Sequence, residues 1–274
     1  MTVLELKNIH KAYGTTRALN GVSCSIPAGS IFGILGPNGS GKTTLLGIVL
    51  DVLKADGGSF SWFGHPGNEG RREKIGALLE TPNFYHYLSG RRNLEITRRI
   101  SKRGTPEDID QVLRKARLAA RANSRFSTYS LGMKQRLAIA GALLGAPSVL
   151  VLDEPTNGLD PEGIAEIREM IIDLRAQGHT IIIASHLLDE VEKVCTHAAI
   201  IKNGNLITSG AIGEILRDHD LVELAAKDMR ALGKTMEVFP GMLHYEVNKD
   251  VVLAAFARNS VDLERVNEFC YKRG

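Results

Sequence analysis

The stretch Gly36-Pro37-Asn38-Gly39-Ser40-Gly41-Lys42-Thr43 follows the pattern G-x-x-x-x-G-K-[ST], whose residue types are suited to holding a polyphosphate. Glycines at 36, 39 and 41 let backbone N–H groups approach phosphate oxygens, with Asn38, Ser40 and Thr44 in the same cradle. Lys42 would supply a point charge for the β- and γ-phosphates, and the Thr43 hydroxyl would ligate Mg²⁺. A second pair of candidates, Asp153 and Glu154, ends the apolar run Val149-Leu150-Val151-Leu152. Successive side chains on a strand point to opposite faces, so these two acids can do different work despite their like charge. Asp153 would hold the metal shell and Glu154 would polarise an attacking water, which together is the chemistry of phosphoryl transfer to water. Ser130 opens a third stretch, Tyr129 to Arg136, where a helix start offers another anion-binding end; spacing alone reads there as a serine-capped helix.

These groups need a frame. An apolar strand, Ile31-Phe32-Gly33-Ile34-Leu35, precedes the glycine-rich loop, and Thr44 to Leu50 reads as the helix after it. The runs Val149 to Leu152 and Thr180 to Ala184 read as strands buried on both faces of a parallel sheet. Asp160-Pro161 begins a helix that reaches about Gln177 and is closed by Gly178; Leu187 to Val194 reads as a short helix. Asn203-Gly204 joins Ala198 to Lys202 and Asn205 to Thr208 as a hairpin. Upstream, Val3 to Ile9, Ala18 to Ile26 and Gly57 to Phe63 read as strands, and Ile75 to Leu79 as a short buried one. Between Leu88 and Leu144 the pattern turns helical, with Thr105-Pro106-Glu107-Asp108 as a marked helix start. Beyond Asp220, segments over Leu221 to Leu232, Thr235 to Phe239, Leu243 to Val247 and Val251 to Arg258 suggest an appendage with two strands. The expected domains are 1–219, with a helical insert over about 82–146, and a C-terminal extension over 220–274.

Composition bounds the function classes. With 274 residues, 43% hydrophobic and 24% charged, the chain can build one large core plus a small appendage. A net charge of +3 is too small to argue for nucleic acid as a partner. Cys24, Cys195 and Cys270 are scattered, which suggests neither a disulfide framework nor a zinc site and points to a reducing cytoplasm. The first residues alternate like a strand rather than a signal peptide. The most apolar stretch, Leu137 to Leu152, is interrupted by Gly145-Ala146-Pro147-Ser148, so any membrane association is expected through a partner or a surface. Arg91-Arg92, Arg98-Arg99 and Lys102-Arg103 recur at helical spacing, as a solvated basic face or a surface for acidic lipid headgroups.

Taken in order, the phosphate loop, Tyr129 to Arg136, Asp153-Glu154-Pro155-Thr156-Asn157-Gly158-Leu159-Asp160-Pro161 and Ala184-Ser185-His186 resemble those of ABC-transporter ATPase subunits, over Met1 to about Asp218. The resemblance implies an α/β fold of the P-loop NTPase, ABC ATPase type: a mixed sheet, an antiparallel β subdomain, a helical subdomain insert and a small C-terminal α+β appendage. It implies ATP and Mg²⁺ as cofactors. Tyr13 matches the aromatic that stacks on adenine, and His186 the switch histidine near the γ-phosphate, catalytic alongside Glu154. Ser130 and Gly132 match the signature that completes the ATP site of the opposite protomer, and Asp160 the loop that communicates across that dimer. One loop and one signature per chain then require a head-to-tail homodimer with two ATP molecules between its protomers. A separate integral-membrane permease is the implied partner, no nucleic acid is expected, and the implied location is cytoplasmic, peripheral at the inner face of the cell membrane.

Two departures are informative. The family's signature L-S-G-G-Q is here Tyr129-Ser130-Leu131-Gly132-Met133, and the loop that usually presents glutamine to the metal presents Glu80, which can also ligate Mg²⁺. The latter resembles the bacitracin-resistance and lantibiotic-immunity type of exporter ATPase. Phe84, Tyr85 and Tyr87 would then fill a pocket for a permease helix or pack on their own domain. The implied function is ATP hydrolysis driving an exporter, with antimicrobial-peptide or drug efflux as its theme. Two other readings are a non-transport ATPase acting on a ribosome or nucleic acid, and a weakly hydrolysing regulatory module suggested by Leu131 and Met133.

Overall fold

Alternation along the buried strands sets the architecture. The computed structural model describes residues 1–67, 72–79, 83–217, 219–226, 228–247, 251–257 and 260–272. The first half runs β1 (Thr2–Tyr13), β2 (Thr16–Pro27), β3 (Ile31–Leu35), α1 (Lys42–Val49), β4 (Gly57–Trp62), β5 (His65–Pro66) and β6 (Ile75–Leu78). Three helices follow, α2 (Gly90–Ser101), α3 (Pro106–Lys115) and α4 (Leu131–Ala142). The chain then alternates through β7 (Val149–Asp153), α5 (Pro161–Ala176), β8 (Thr180–Ser185), α6 (Leu188–Val194), β9 (His197–Lys202), β10 (Asn205–Ala211) and α7 (Ile212–Arg217).

The central six-stranded sheet has the order β10-β9-β3-β8-β7-β6, parallel except for the β9–β10 hairpin. Asn203 and Gly204 both take positive φ, 49° and 76°, as a two-residue hairpin turn requires. A four-stranded antiparallel sheet, β2-β1-β4-β5, packs beside it, with Asn20 N donating to Gly204 O at 2.8 Å. Along β7, Val149 and Val151 face a core shared with α1 and the antiparallel sheet, whereas Leu150 and Leu152 face a second core shared with α2, α3, α4 and α5. The continuous apolar run is thus two alternating faces, each covered. Trp62, fully buried, donates its indole N–H to Val49 O at 2.8 Å and ties β4 to the end of α1.

The helical start at Thr105 is as read: the backbone N–H of Thr105 donates to Asp108 Oδ2 at 2.8 Å, with Pro106 at the first helical position. The basic run is partly a solvated face, with Arg92, Arg99 and Lys102 exposed, and partly engaged within the protein. Arg91 pairs with Asp110, and Arg98 and Arg99 pair with Glu95. Arg103 reaches back to donate to Ile75 O at 2.7 Å and Glu73 O at 3.1 Å. Phe84 packs edge-on to Phe126 at 5.3 Å, while Tyr85 and Tyr87 remain exposed.

The C-terminal residues form β11 (His219–Leu224), α8 (Met229–Glu237), β12 (Met242–Val247), β13 (Val252–Ala257) and α9 (Leu263–Lys272). The expectation of two strands is corrected: the sheet has three, in the order β11-β13-β12, because 219–224 pairs with β13 instead of joining one element that runs to Leu232. Val222, Leu232, Met236, Val252 and Phe256 belong to a core of its own.

Candidate functional site

The parallel strands deliver the site, since β3, β7 and β8 end side by side and their carboxyl ends carry the loops that hold ligands in open α/β sheets. After β3 the chain passes through the glycine-rich loop into α1, whose N-cap Gly41 sits at φ 108° and makes no side-chain cap. The first backbone N–H groups of α1 therefore lack a side-chain acceptor of their own, which suits them to an anion. At Gly36 the requirement is space: a Cβ there would lie 2.1 Å from Ile201 O and 2.6 Å from Ser40 Oγ. Gly204 N donates to Ser40 O at 3.0 Å, so the β9–β10 turn buttresses the loop. The Ser40 hydroxyl is buried without a hydrogen-bond partner among the described residues.

Lys42 is buried; its ammonium donates to Gly36 O at 2.7 Å and Pro37 O at 3.3 Å and stands 3.4 Å from Glu154 Oε1. The Thr43 hydroxyl donates to Asp153 Oδ2 at 2.8 Å. Asp153 continues the face of Val149 and Val151 toward α1, which is why it meets Thr43. At Glu154 the strand alternation ends: its backbone turns to φ 48°, a left-handed conformation costing a non-glycine residue about 1–3 kcal/mol. The turn, held by Glu154 N donating to Ala184 O at 3.0 Å, brings the carboxylate to His186, whose Nδ1 lies 2.8 Å from Glu154 Oε2. A carboxylate can only accept, so in this pair Nδ1 is the donor and Nε2 is the nitrogen that Glu154 does not engage.

The structure thus gathers residues Gly36 to Thr44, Asp153, Glu154 and His186 at one sheet edge. Ser130 and Gly132 are grouped elsewhere. Ser130 caps α4 by accepting from Met133 N at 3.3 Å, and a Cβ added at Gly132 would lie 4.0 Å from Gly163 Cα at the start of α5. Asp160 caps α5 in turn, accepting from Gly163 N at 3.0 Å, so these three residues share one patch at two adjacent helix starts. Leu131 is 45% exposed there. Tyr13 is exposed at the end of β1, with Lys11 Nζ 5.6 Å from its ring centre. Glu80 lies outside the described residues. The sequence reading missed the buttress at Gly204: the Asn-Gly pair announced a turn, but nothing local announced what it rests on.

Thr43 and Asp153 offer hard oxygen donors to a divalent cation, and the described residues hold no cluster of three or more His, Cys, Asp or Glu suited to a metal. That donor set fits Mg²⁺, which keeps waters and phosphate oxygens as ligands and takes only one or two from protein.

Comparison with known proteins agrees with this geometry. A family model described as ABC transporter matches residues 19–157. The bacitracin transport ATP-binding protein BcrA of Enterococcus faecalis is 34% identical over 97% of this chain and 92% of its own length. The lantibiotic transport ATP-binding protein SrtF of Streptococcus pyogenes is 38% identical over 75% of this chain and 89% of its own. Among solved structures, the dimeric post-hydrolysis state of the ATP-binding cassette MJ0796, bound to ADP and Pi, superposes with a TM-score of 0.68 at 26% identity, covering 76% of this chain and 98% of that one. The expected α/β fold of the P-loop, ABC ATPase type is therefore the observed one, and the chain belongs to the ABC transporter family as one of its ATP-hydrolysing, nucleotide-binding proteins.

Proposed function

We propose that this chain is the nucleotide-binding subunit of an exporter, working as a head-to-tail homodimer beneath a separate membrane permease. The observation that carries the reading is the division of the site into two halves. Lys42, Thr43, Asp153, Glu154 and His186 converge at the phosphate loop, whereas Ser130, Gly132 and Asp160 form a separate patch on the same chain. Two chains exchanging halves make two complete sites, and the dimeric, ADP-bound relative supports that arrangement.

In this reading Tyr13 stacks on the base, the loop N–H groups and Lys42 hold the phosphates, and the partner's signature closes over them. Thr43 and Asp153 hold Mg²⁺, which supplies charge neutralisation at the terminal phosphates when bound. Glu154 orients and deprotonates water, and His186, which fixes one carboxylate oxygen, offers Nε2 to the terminal phosphate. A carboxylate from Glu80 would add to the metal's ligands.

No described helix is long and apolar enough to cross a membrane; in this reading the permease is a second protein and this chain sits peripherally at the inner face of the cell membrane. An open groove lined by Leu78, Phe84, Thr97 and Ala138, with Tyr85 and Tyr87 exposed on the segment that carries Phe84, suits a permease helix. The bacitracin and lantibiotic transport relatives support antimicrobial-peptide or drug efflux as the process.

The test uses a tagged Glu154→Gln chain, which retains nucleotide but hydrolyses ~10²–10⁴-fold more slowly, purified from detergent-solubilised native membranes. A stoichiometric polytopic membrane protein is the expected companion. Recovery with ribosomes or nucleic acid and no membrane protein refutes the reading.

A further inference from the structure

Strand β12 belongs to the C-terminal module yet lies across the carboxyl edge of the main sheet. At its start, Lys202 at the end of β9 donates to Met242 O at 3.0 Å. Two residues on, His244 is 9% exposed, and the charges of Lys202, His186 and Lys42 act on it. Two further on, the half-buried Glu246 carboxylate stands beside Asp189 in α6, the helix just after His186, and burial followed by the Asp189 charge raises its pKa. Strand β12 therefore passes, across a register shift between Met242 and His244, from the end of β9 to the segment that follows His186. Asn38, Gly39 and Thr43 remain exposed, so β12 flanks the phosphate loop without capping it.

This contact leaves a polar group unpaired. His244 Nε2 is buried with no hydrogen-bond partner among the described residues. Burial first, then Lys202, His186 and Lys42, push its imidazole down to about 4, so it sits neutral against groups that are or can be cationic. A buried unpartnered donor of this kind costs about 1–3 kcal/mol. An anion held at Lys42 would add to the negative charge that Glu154 already brings to Lys42 and His186, and so offset the cations around His244.

We propose that His244 is a further nucleotide-site residue, placed by the C-terminal module so that a polyphosphate held at Lys42 and the docked strand β12 stabilise each other. The inference rests on the nucleotide-site reading above and deepens it. The coupling is reciprocal: nucleotide tightens the docking of β12, and docking raises nucleotide affinity by the same factor.

The experiment uses the full chain with Mg²⁺ and the β,γ-imido analogue of ATP. Equilibrium binding and amide hydrogen exchange of residues 242–247 are measured for wild type, His244→Leu and His244→Gln. Wild type is expected to gain protection at 242–247 on binding the analogue. His244→Leu removes the buried polar group, so it keeps or exceeds the nucleotide-free protection, gains none with the analogue and binds it about tenfold more weakly. His244→Gln, which retains a donor, falls between the two. Tyr271→Ala, on an exposed part of α9, should match wild type. A wild type that binds the analogue with no change at 242–247, or a His244→Leu chain with unaltered affinity, overturns the proposal while leaving the nucleotide site standing. A wild type that binds no nucleotide overturns both.

Discussion

Removing His186 tests whether it acts through Glu154 or beside it. The Nδ1–Oε2 contact is 2.8 Å, and a hydrogen bond to a charged partner contributes about 1.5–3 kcal/mol. The two side chains are 30% and 21% exposed, so water can replace part of what is lost, and the lower end of that range applies. At about 1.4 kcal/mol per decade, His186→Ala should slow turnover roughly 10–30-fold. Glu154→Gln should slow it ~10²–10⁴-fold. If the two side chains worked independently, the double variant would lose the product, roughly 10³–10⁵-fold. If His186 works by holding Glu154, the double variant falls no further than Glu154→Gln alone, because a group that no longer abstracts a proton gains nothing from being positioned. The assay is single-turnover phosphate release by the four proteins at saturating MgATP, with nucleotide affinity measured separately. Effects that multiply across the pair would refute the positioning argument.

Two further outcomes rest on particular distances and charges. Gly36→Ala places a methyl 2.1 Å from Ile201 O, a backbone atom that cannot rotate away, and should cost about 2 kcal/mol or more of stability. The melting temperature should drop by roughly 4 °C or more and nucleotide affinity should fall with it, since β9 buttresses the loop; an unchanged melting curve contradicts that close approach. The second concerns pH. Burial first, then the charges of Lys202, His186 and Lys42, push His244 down to about 4 from an ordinary value of 6.5, so the undocked state takes up the proton first. Docking of β12 is at full strength above about pH 6.5 and weakens progressively toward pH 4, by up to about 3 kcal/mol. Amide exchange at 242–247, corrected for intrinsic rates, should rise between pH 7.5 and 5; equal protection at both refutes the burial argument.

What could be read from the sequence was what neighbours in the chain decide. The phosphate loop between strand and helix, the doubly buried run before Asp153, the Thr105 start of α3 and the Asn203-Gly204 turn each depend on a few consecutive residues. What escaped depends on distant partners. Arg103 looked like one more solvated cation, but its role is set by Ile75, a residue 28 positions away. No local pattern marks Glu154 as left-handed, because the glycine that such a conformation favours is absent; only the Ala184 carbonyl and His186 reveal what the turn achieves. Residues 219–224 carry no turn signal separating them from the next segment, so their pairing with β13 emerges only when the three strands share a core. His244 is a single histidine in a short strand, and its meaning lies entirely in Lys42, Lys202 and His186.

The bond from Trp62 to Val49 has a metric consequence. Tyr13 ends β1, β1 is laced to β4, and Trp62 at the end of β4 clamps the far end of the helix that begins at Lys42. In the proposed assignment the base rests on Tyr13 and the terminal phosphates on Lys42, so both ends of the ligand are gripped by a single stiff frame whose span is set by packing. Such a frame works as a length gauge. A nucleoside monophosphate engaging Tyr13 would leave Lys42 untouched, and one reaching Lys42 would forfeit the aromatic face, so discrimination by phosphate count needs no moving part within the cassette. Movement is left to the patch holding Ser130, Gly132 and Asp160, which in the same assignment meets the ligand only from a second copy.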